Sequence, residues 1–403
     1  MDRYFDDSHY MIRDMVRDFA RNEIAPVAEE MDRDAIFPWD NVRKMGELGL
    51  FGVPWSEEVG GAGMDDMSYM IVLHELAKVD ASHAITVSAH TTLGTSPIVN
   101  FGTDAQKERF LPLLAAGRVL GGFGLTEPGA GSDASGTETM ARKVDGGYVL
   151  NGTKRFITHA GVGEVFVVTA VTERDKGSKG ITSFIVTKPT TDLEKTREVG
   201  VGHAEDLDFI DGVRAGKKED KMGWRASDTR ELIMEDAFVP DENVLGEPGK
   251  GFVNFMKTLD SGRIGIAALS LGLAEGAMEE ALRYADERKQ FGQKLHEFQG
   301  IQFMLADMAT EIEAAKHLVF HATWLKSRGE PFSKQAAIAK LFASELAMRA
   351  TTKAVQIHGG YGYIKEYPVE RMMRDAKICE IGEGTSEIQR MVIARHLVRE
   401  LLS

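Results

Sequence analysis

The sequence predicts an α+β multidomain protein, with an N-terminal α-helical domain (residues 1–120), a middle β-barrel or sandwich-like domain (121–240) and a C-terminal four-helix bundle (241–403). Three observations carry this. The 403 residues are too many for one hydrophobic core. Apolar residues recur at three- and four-residue steps near both ends. From Gly121 the chain turns instead to short β-branched and aromatic runs separated by Gly, Asp and Asn.

In chain order, "HYMIRDMVRDFARNEI", "WDNVRKMGELGLFG" and "DDMSYMIVLHELAKV" read as amphipathic helices, broken by the turn-rich "GVPWSEEVGGAG". The strands follow as "GGYVLNGTKRFIT", "EVFVVTAVT", "GITSFIVTK" and "ELIMEDAFV". Between the last two lies the acidic "TTDLEKTREVGVGHAEDLDFIDGV", which lacks periodicity. It reads as a surface excursion in preference to a partner-binding loop, because polar loops off a β unit are common. The helical period then returns over Ile264–Arg288, Ile301–Ser327, Lys334–Ile357 and Ser386–Leu402. Short connections between them give an antiparallel bundle.

Composition narrows the function. A net charge of −14 with no polybasic block argues against a phosphate-tracking nucleic-acid protein. No apolar stretch is long enough to predict a membrane span. The acidic, amphipathic N-terminus is neither a secretory signal nor an Arg-rich transit peptide, so the expected location is a bacterial cytoplasm or a mature organellar matrix. The single cysteine, Cys379, rules out an intrachain disulfide and reads as a small buried apolar side chain. Eleven histidines show no metal-ligand spacing, and His83, His90, His203 and His358 read as packing or surface residues.

Several short stretches bear chemistry. In "EIGEGTSEIQR", Glu383 stands between two glycines, just before a Ser386-x-x-Gln389 capping box. That setting suits a solvated acid at a helix start, and equally a carboxylate whose backbone comes close to a ligand. "TEPGAGSD" is Gly-rich but is not GxGxxG, and it fits a backbone-lined anion or cofactor cradle as well as an ordinary turn cluster. "KRFITHAG" puts Phe156 and Thr158 at one strand end, suited to one side of a flat ring or to a packed core. "DERKQFG" holds Arg288, Gln290 and Phe291 at a helix end, and "AVQIHGGYGY" places Gln356 beside Gly359-Gly360. Together they offer an arginine for a pyrophosphate, amides for an adenine and glycines for close approach.

With these motifs in this order the chain resembles the acyl-CoA dehydrogenase family over essentially its whole length, from "GLFGVPWSEEVGGAGMD" through "GLTEPGAGSD", "KEDKMGWRASDTRELIMEDAFVP", "SGRIGIAALSLG", "RKQFG" and "QIHGGYGYIKEYPVERMMRDAKI" to "EGTSEIQR". The short-chain, butyryl-CoA-type branch is nearest in look. The resemblance implies FAD bound non-covalently between the β domain and the C-terminal bundle, in a homotetramer built as a dimer of dimers. It places Phe123, Leu125 and Thr126 at the flavin, and Ser132 near the FAD or the CoA arm. Phe156, Ile157 and Thr158 cover the ring. Arg288, Gln290, Phe291, Gln356, Ile357, Gly359 and Gly360 reach a neighbouring subunit's FAD, and Thr385 and Glu387 close over the dinucleotide.

The implied reaction is α,β-dehydrogenation of an acyl-CoA thioester to the trans-2-enoyl-CoA, a base taking the α-proton as the β-hydrogen leaves as hydride to flavin N5. Electrons pass on to an electron-transferring flavoprotein. Glu383 falls where the family's main branch carries its base, and desolvation by the acyl chain should make it a better proton acceptor. Some branches carry the base on the bundle helix instead, at the position of Gly262, which is uncharged here. Arg263 would help hold the base loop, Asp260 and Ser261 would lie at the CoA arm, and Gly262 and Gly384 would line the substrate. An ordinary helix start is the alternative for Asp260 to Arg263.

Two departures modify the expectation. Gly382 replaces a tyrosine common before the base, which should widen the acyl pocket toward branched or ring-bearing groups. The acidic segment 192–211 is longer than the family's usual connection. Ala84 stands where glutaryl-CoA dehydrogenases carry an arginine, which disfavours glutaryl-CoA as substrate. The rivals are an acyl-CoA oxidase and a catalytically silent binding subunit.

Overall fold

A computed structural model describes residues 4–202 and 207–402. His203 and the centre of the acidic segment lie outside the described residues. The N-terminal helices are α1 (Asp7–Phe19), α2 (Ala25–Asp34), α3 (Trp39–Glu47), α4 (Asp66–Ala77), α5 (Ala81–Ser88), α6 (Ser96–Phe101) and α7 (Asp104–Ala115). π-helical turns at Ala20–Ile24 and Ala89–Thr95 join α1 to α2 and α5 to α6. Local sequence sets the starts. Asp6 accepts from the Ser8 and His9 amides and His9 answers the Asp6 N–H, while Thr103 and Gln106 cap each other at α7. The helix α4 is buried on every side from Met67 to Ala77, which hides the amphipathic signature expected of a surface helix.

The middle region holds β1 (Gly121–Gly124), β2 (Met140–Val144), β3 (Gly147–Thr158), β4 (Val165–Val171), β5 (Ile181–Thr187), the short helix α8 (Leu193–Val199), β6 (Val213–Lys218), β7 (Thr229–Pro240) and β8 (Val244–Leu245). The sheet runs β6-β7-β3-β2-β4-β5-β8, with β1 added parallel to β4. Strand β4 is buried on both faces because it separates two cores. Phe166, Val168 and Ala170 join the inner cluster with Leu150, Phe184 and Leu232, while Val165 and Val167 pack with Ile98, Phe110, Leu114 and Phe255.

The acidic segment is less of a surface excursion than its composition suggested. Its α8 packs on α3, Asp192 accepts from Trp39 Nε1 at 2.8 Å, and Val199, Val201 and Leu207 are buried, so its ends tie the sheet to the N-terminal helices.

The C-terminal helices are α9 (Gly251–Glu287), α10 (Gln299–Ser327), α11 (Ser333–His358), α12 (Val369–Cys379) and α13 (Ser386–Leu402). A short ribbon, β9 (Lys289–Gln290) and β10 (Gln293–Lys294), follows α9. The four expected helices are joined by α12, which packs on α9 and α11. α9 begins at Gly251, well before Ile264, so Asp260 to Arg263 lie inside the helix and not at its start. The glycines and polar residues of "KTLDSGRIG" lower local propensity, but tertiary packing carries the helix through them. One hydrophobic cluster runs through both helical regions, from Ile12 to Ala354 and Cys379. No helix among the described residues is long and apolar enough to cross a membrane.

Candidate functional site

The loop between α12 and α13 turns sharply on two successive left-handed residues, Glu383 at φ 52° and Gly384 at φ 94°. A non-glycine residue pays about 1–2 kcal/mol for that conformation, so something must fix the turn. The Ser386 N–H closes the loop onto the Glu380 carbonyl at 2.9 Å. Beneath it, Lys340 Nζ donates to the Gly384 carbonyl at 2.7 Å and Gln389 Nε2 donates to the same oxygen at 2.8 Å. Gln389 is therefore not the capping partner its spacing suggested. The N-cap of α13 is Thr385, whose hydroxyl accepts from the Ile388 N–H at 3.3 Å, and Ser386 is the first helical residue.

The turn aims Glu383 inward. Both carboxylate oxygens are shut off from solvent, and neither has a hydrogen-bond partner among the described residues. Burial pushes the carboxyl up to about 7, against the opposing pull of Lys340 and Arg263. The Glu383 N–H finds no acceptor among the described residues. Across from the carboxylate stands Gly262 on α9. A Cβ there would overlap Glu383 Oε2 and lie 3.0 Å from its Cδ and 3.3 Å from Leu93 Cδ2. A side chain at 262 and a carboxylate reaching in from 383 therefore exclude each other, which explains in packing terms why only one base position is filled. Arg263 is buried and ion-paired with Asp260, which also accepts from Ser333 Oγ at 3.0 Å. It reaches the base loop only through its field; the hydrogen bonds that hold the loop come from Lys340 and Gln389. Ser261 is half-buried on the same stretch of α9.

The sheet supplies a second wall. Phe123 on β1 stacks on Phe255 of α9 with ring centroids 4.0 Å apart, and Leu125 and Thr126 follow, half-buried. At the end of β3 a bulge sets Arg155 and Phe156 against Glu231 alone. It leaves Phe156 at φ 58° with its ring 60% exposed, Ile157 buried and Thr158 half-buried. Two histidines clamp the start of β1: His90 Nδ1 accepts the Gly121 N–H at 3.0 Å and His159 Nδ1 donates to the Gly121 carbonyl at 2.9 Å. Burial holds both imidazoles below their ordinary range, hence neutral.

The Gly-rich turn is pinned by a buried ion pair. Glu127 receives Lys154 Nζ at 2.6 Å, the Glu138 N–H at 2.6 Å and the Thr139 hydroxyl at 2.6 Å. Ser132, Gly129 and Gly131 are left facing outward, and a Cβ on either glycine would meet nothing within 4 Å.

Of the remaining predicted residues, Thr385 and Glu387 adjoin the base loop at the start of α13, and the others do not join this constellation within one chain. Arg288, Gln290, Ile357, Gly359 and Gly360 line a separate cavity of about 470 Å³, with Phe291 nearby and 96% exposed. Gln356 precedes it on α11. Arg288 caps the far end of α9, about 39 Å along the helix from Gly262. Thr385 is half-buried and Glu387 exposed at the start of α13. The residue reading missed Lys340, Gln389's role, Glu127, Lys154 and the two clamping histidines. Lys340 alone carried a signal, as a lysine inside the apolar run "AAIAKLFASELA".

Comparison with known proteins covers all three regions. Residues 6–118, 122–237 and 249–398 match the family models for the N-terminal, middle and C-terminal domains of acyl-CoA dehydrogenase. The short-chain specific acyl-CoA dehydrogenase of Clostridium acetobutylicum is 50% identical over 96% of this chain and 97% of its own. The 3-(aryl)acrylate reductase of Clostridium sporogenes is 43% identical over 98% and 100%. Among solved structures, butyryl-CoA dehydrogenase from Megasphaera elsdenii superposes with a TM-score of 0.91 at 47% identity, over 98% of this chain and 99% of that one. A chain from a structure described as the electron transferring flavoprotein of Acidaminococcus fermentans gives 0.93 at 47%, over 99% and 100%. An acyl-CoA dehydrogenase from Bacillus anthracis complexed with FAD gives 0.88 at 36%, over 99% and 69%. A buried acid opposite a helix glycine, a clamped aromatic strand and full-length likeness in every domain converge, and this chain belongs to the acyl-CoA dehydrogenase family.

Proposed function

We propose that the chain is an FAD-dependent acyl-CoA dehydrogenase in which Glu383 removes the α-proton of a short, branched or ring-bearing acyl-CoA, giving the trans-2-enoyl-CoA. The observation that carries this is the Glu383 carboxylate, buried with both oxygens unpartnered against Gly262. An acid left so has been kept free for a reacting group, because burial without a hydrogen bond is costly. Burial raises it to about 7, which makes it a stronger base than an ordinary carboxylate. Its own N–H, also free, can donate to the thioester oxygen on which negative charge develops.

The residues present fit FAD. Phe123, Leu125, Thr126 and the exposed Phe156 with Thr158 offer a flat, partly apolar wall, and the outward-facing turn at Gly129, Gly131 and Ser132 offers backbone amides to a polar arm. Bound there, FAD would supply the hydride acceptor. The separate cavity of Arg288, Gln290, Gly359 and Gly360 has the donors for a dinucleotide's far end but is too distant to serve this chain's own site. This supports a shared cofactor site in a homotetramer, with Thr385 and Glu387 closing over it. An electron-transferring flavoprotein as acceptor follows from the likeness to the Acidaminococcus chain.

The ring-bearing part of the reading rests on Gly382, where an added Cβ would meet only the Ile378 carbonyl at 3.5 Å. The aryl substrate in the name of the Clostridium sporogenes relative agrees with it. The test is the visible spectrum of the purified chain before and after a panel of acyl-CoAs. A yellow protein bleached anaerobically by acyl-CoA is expected, and Glu383→Gln should stay yellow and lose the bleaching. A colourless protein, or unchanged reduction in the variant, overturns the reading.

A further inference from the structure

Lys340 is among the largest side chains with no solvent exposure. Burying an ammonium costs several kcal/mol unless a partner repays it. Its one strong hydrogen bond goes to the Gly384 carbonyl, directly after Glu383. Of the groups facing it, Glu383 is the one buried carboxylate without a partner of its own, since Glu387 at the start of α13 is exposed to solvent. Cys379 on α12 is a thiol pushed up to about 12 by burial and is therefore neutral. Glu380 is ion-paired with Lys377, and Arg263 on α9 is a cation already paired with Asp260. Tyr69 on α4 also faces Glu383, and burial raises its hydroxyl above the ordinary range and so keeps it neutral.

We propose that Lys340 is the positioning residue of the base: its ammonium, fixed on the Gly384 carbonyl, holds the left-handed turn and supplies the charge against which Glu383 ionises. Gln389 holds the same carbonyl without a charge, so the two anchors separate geometry from electrostatics. A packing role alone would be met by any aliphatic chain of the same length. Burial pulls Lys340 itself down to about 8, so its ammonium is held by the groups around it and not by solvent.

This inference rests on the reading of Glu383 as the base, and the experiment keeps the two apart. Anaerobic stopped-flow bleaching by butyryl-CoA is followed against pH for the wild-type holoenzyme, Lys340→Gln, Lys340→Arg and Gln389→Leu. Backbone amide exchange over residues 380–390 is measured alongside. Lys340→Gln keeps a donor and drops the charge. Its acid limb should move up by about one pH unit, a rate roughly tenfold lower on the acid side of the limb, with the flavin retained. Lys340→Arg should restore the limb. Gln389→Leu should speed amide exchange in the loop and slow bleaching at every pH without moving the limb. A Lys340→Gln limb that coincides with wild type, or an equal shift in Gln389→Leu, overturns the proposal. Should Lys340→Gln not fold, a Lys340→Arg limb displaced from wild type does the same. Wild-type protein that no acyl-CoA bleaches removes the underlying reading instead.

Discussion

Gly262→Ala should separate stability from turnover at a single residue. Position 262 is interior to α9, where alanine is better than glycine by about 0.8–1.0 kcal/mol. The added Cβ overlaps Glu383 Oε2 and comes within 3.0 Å of Cδ; Leu93 Cδ2, at 3.3 Å, is the next neighbour. Of these the carboxylate yields most easily, being the end of a flexible side chain, and it must swing by about 1 Å or more. Displacement on that scale costs on the order of 10²-fold in rate. The assay pairs thermal unfolding with stopped-flow flavin bleaching by a saturating acyl-CoA. The expected variant is as stable as wild type, keeps its flavin and is bleached about a hundredfold more slowly. Wild-type bleaching in a folded Gly262→Ala protein would show that the Glu383 carboxylate does not work where the structure puts it.

Three further outcomes follow from the same geometry. Because burial lifts Glu383 from 4.5 to about 7, bleaching should accelerate as pH rises through 7. Its stability contribution runs the other way, being full below pH 4.5 and lost as pH rises through 7, ~3 kcal/mol in all; the thermal midpoint of Glu383→Gln should therefore exceed wild type near pH 8 and match it near pH 4. Lys154→Met strands Glu127 without its counter-charge and should cost ~3–5 kcal/mol in urea unfolding, with Glu127→Gln in the same chain recovering part of it. Gly382→Tyr fills the open space beside Ile378 and should lower kcat/KM for aryl-bearing acyl-CoAs far more than for butyryl-CoA; an equal loss on both would detach Gly382 from specificity.

The parts of the fold that came from local pattern were legible: α1 and α3 announce their period, and β3, β4, β5 and β7 their β-branched and aromatic content, within a dozen residues. The helix α4 was also legible from its three- and four-residue apolar steps, although the structure buries every face of it. The helix α12 did not stand out, because "VERMMRDAKIC" is rich in charge, and several of those charges are spent on other domains. Arg374 pairs with Asp32, and Asp375 accepts the Trp224 N–H at 2.6 Å. Glu383 was legible through its glycines and the motif around it. Lys154 was not, since a lysine in a strand looks like a solvated one until the fold shows what covers it, and Lys340 showed only as a lysine within an apolar run. The cap at α13 was misplaced by one residue because Thr385 and Ser386 are chemically equivalent candidates, and only the αL turn before them decides which hydroxyl meets the amide.

The unbroken run of α9 constrains what this chain can become. It is a rod about 55 Å long, carrying Gly262 near one end and Arg288 at the other. One residue inserted between them would turn everything beyond it by about 100°, swinging the arginine off its side of the molecule while the glycine stayed put. Loops away from the site can lengthen or shorten, whereas this segment is a ruler whose length divergence cannot alter.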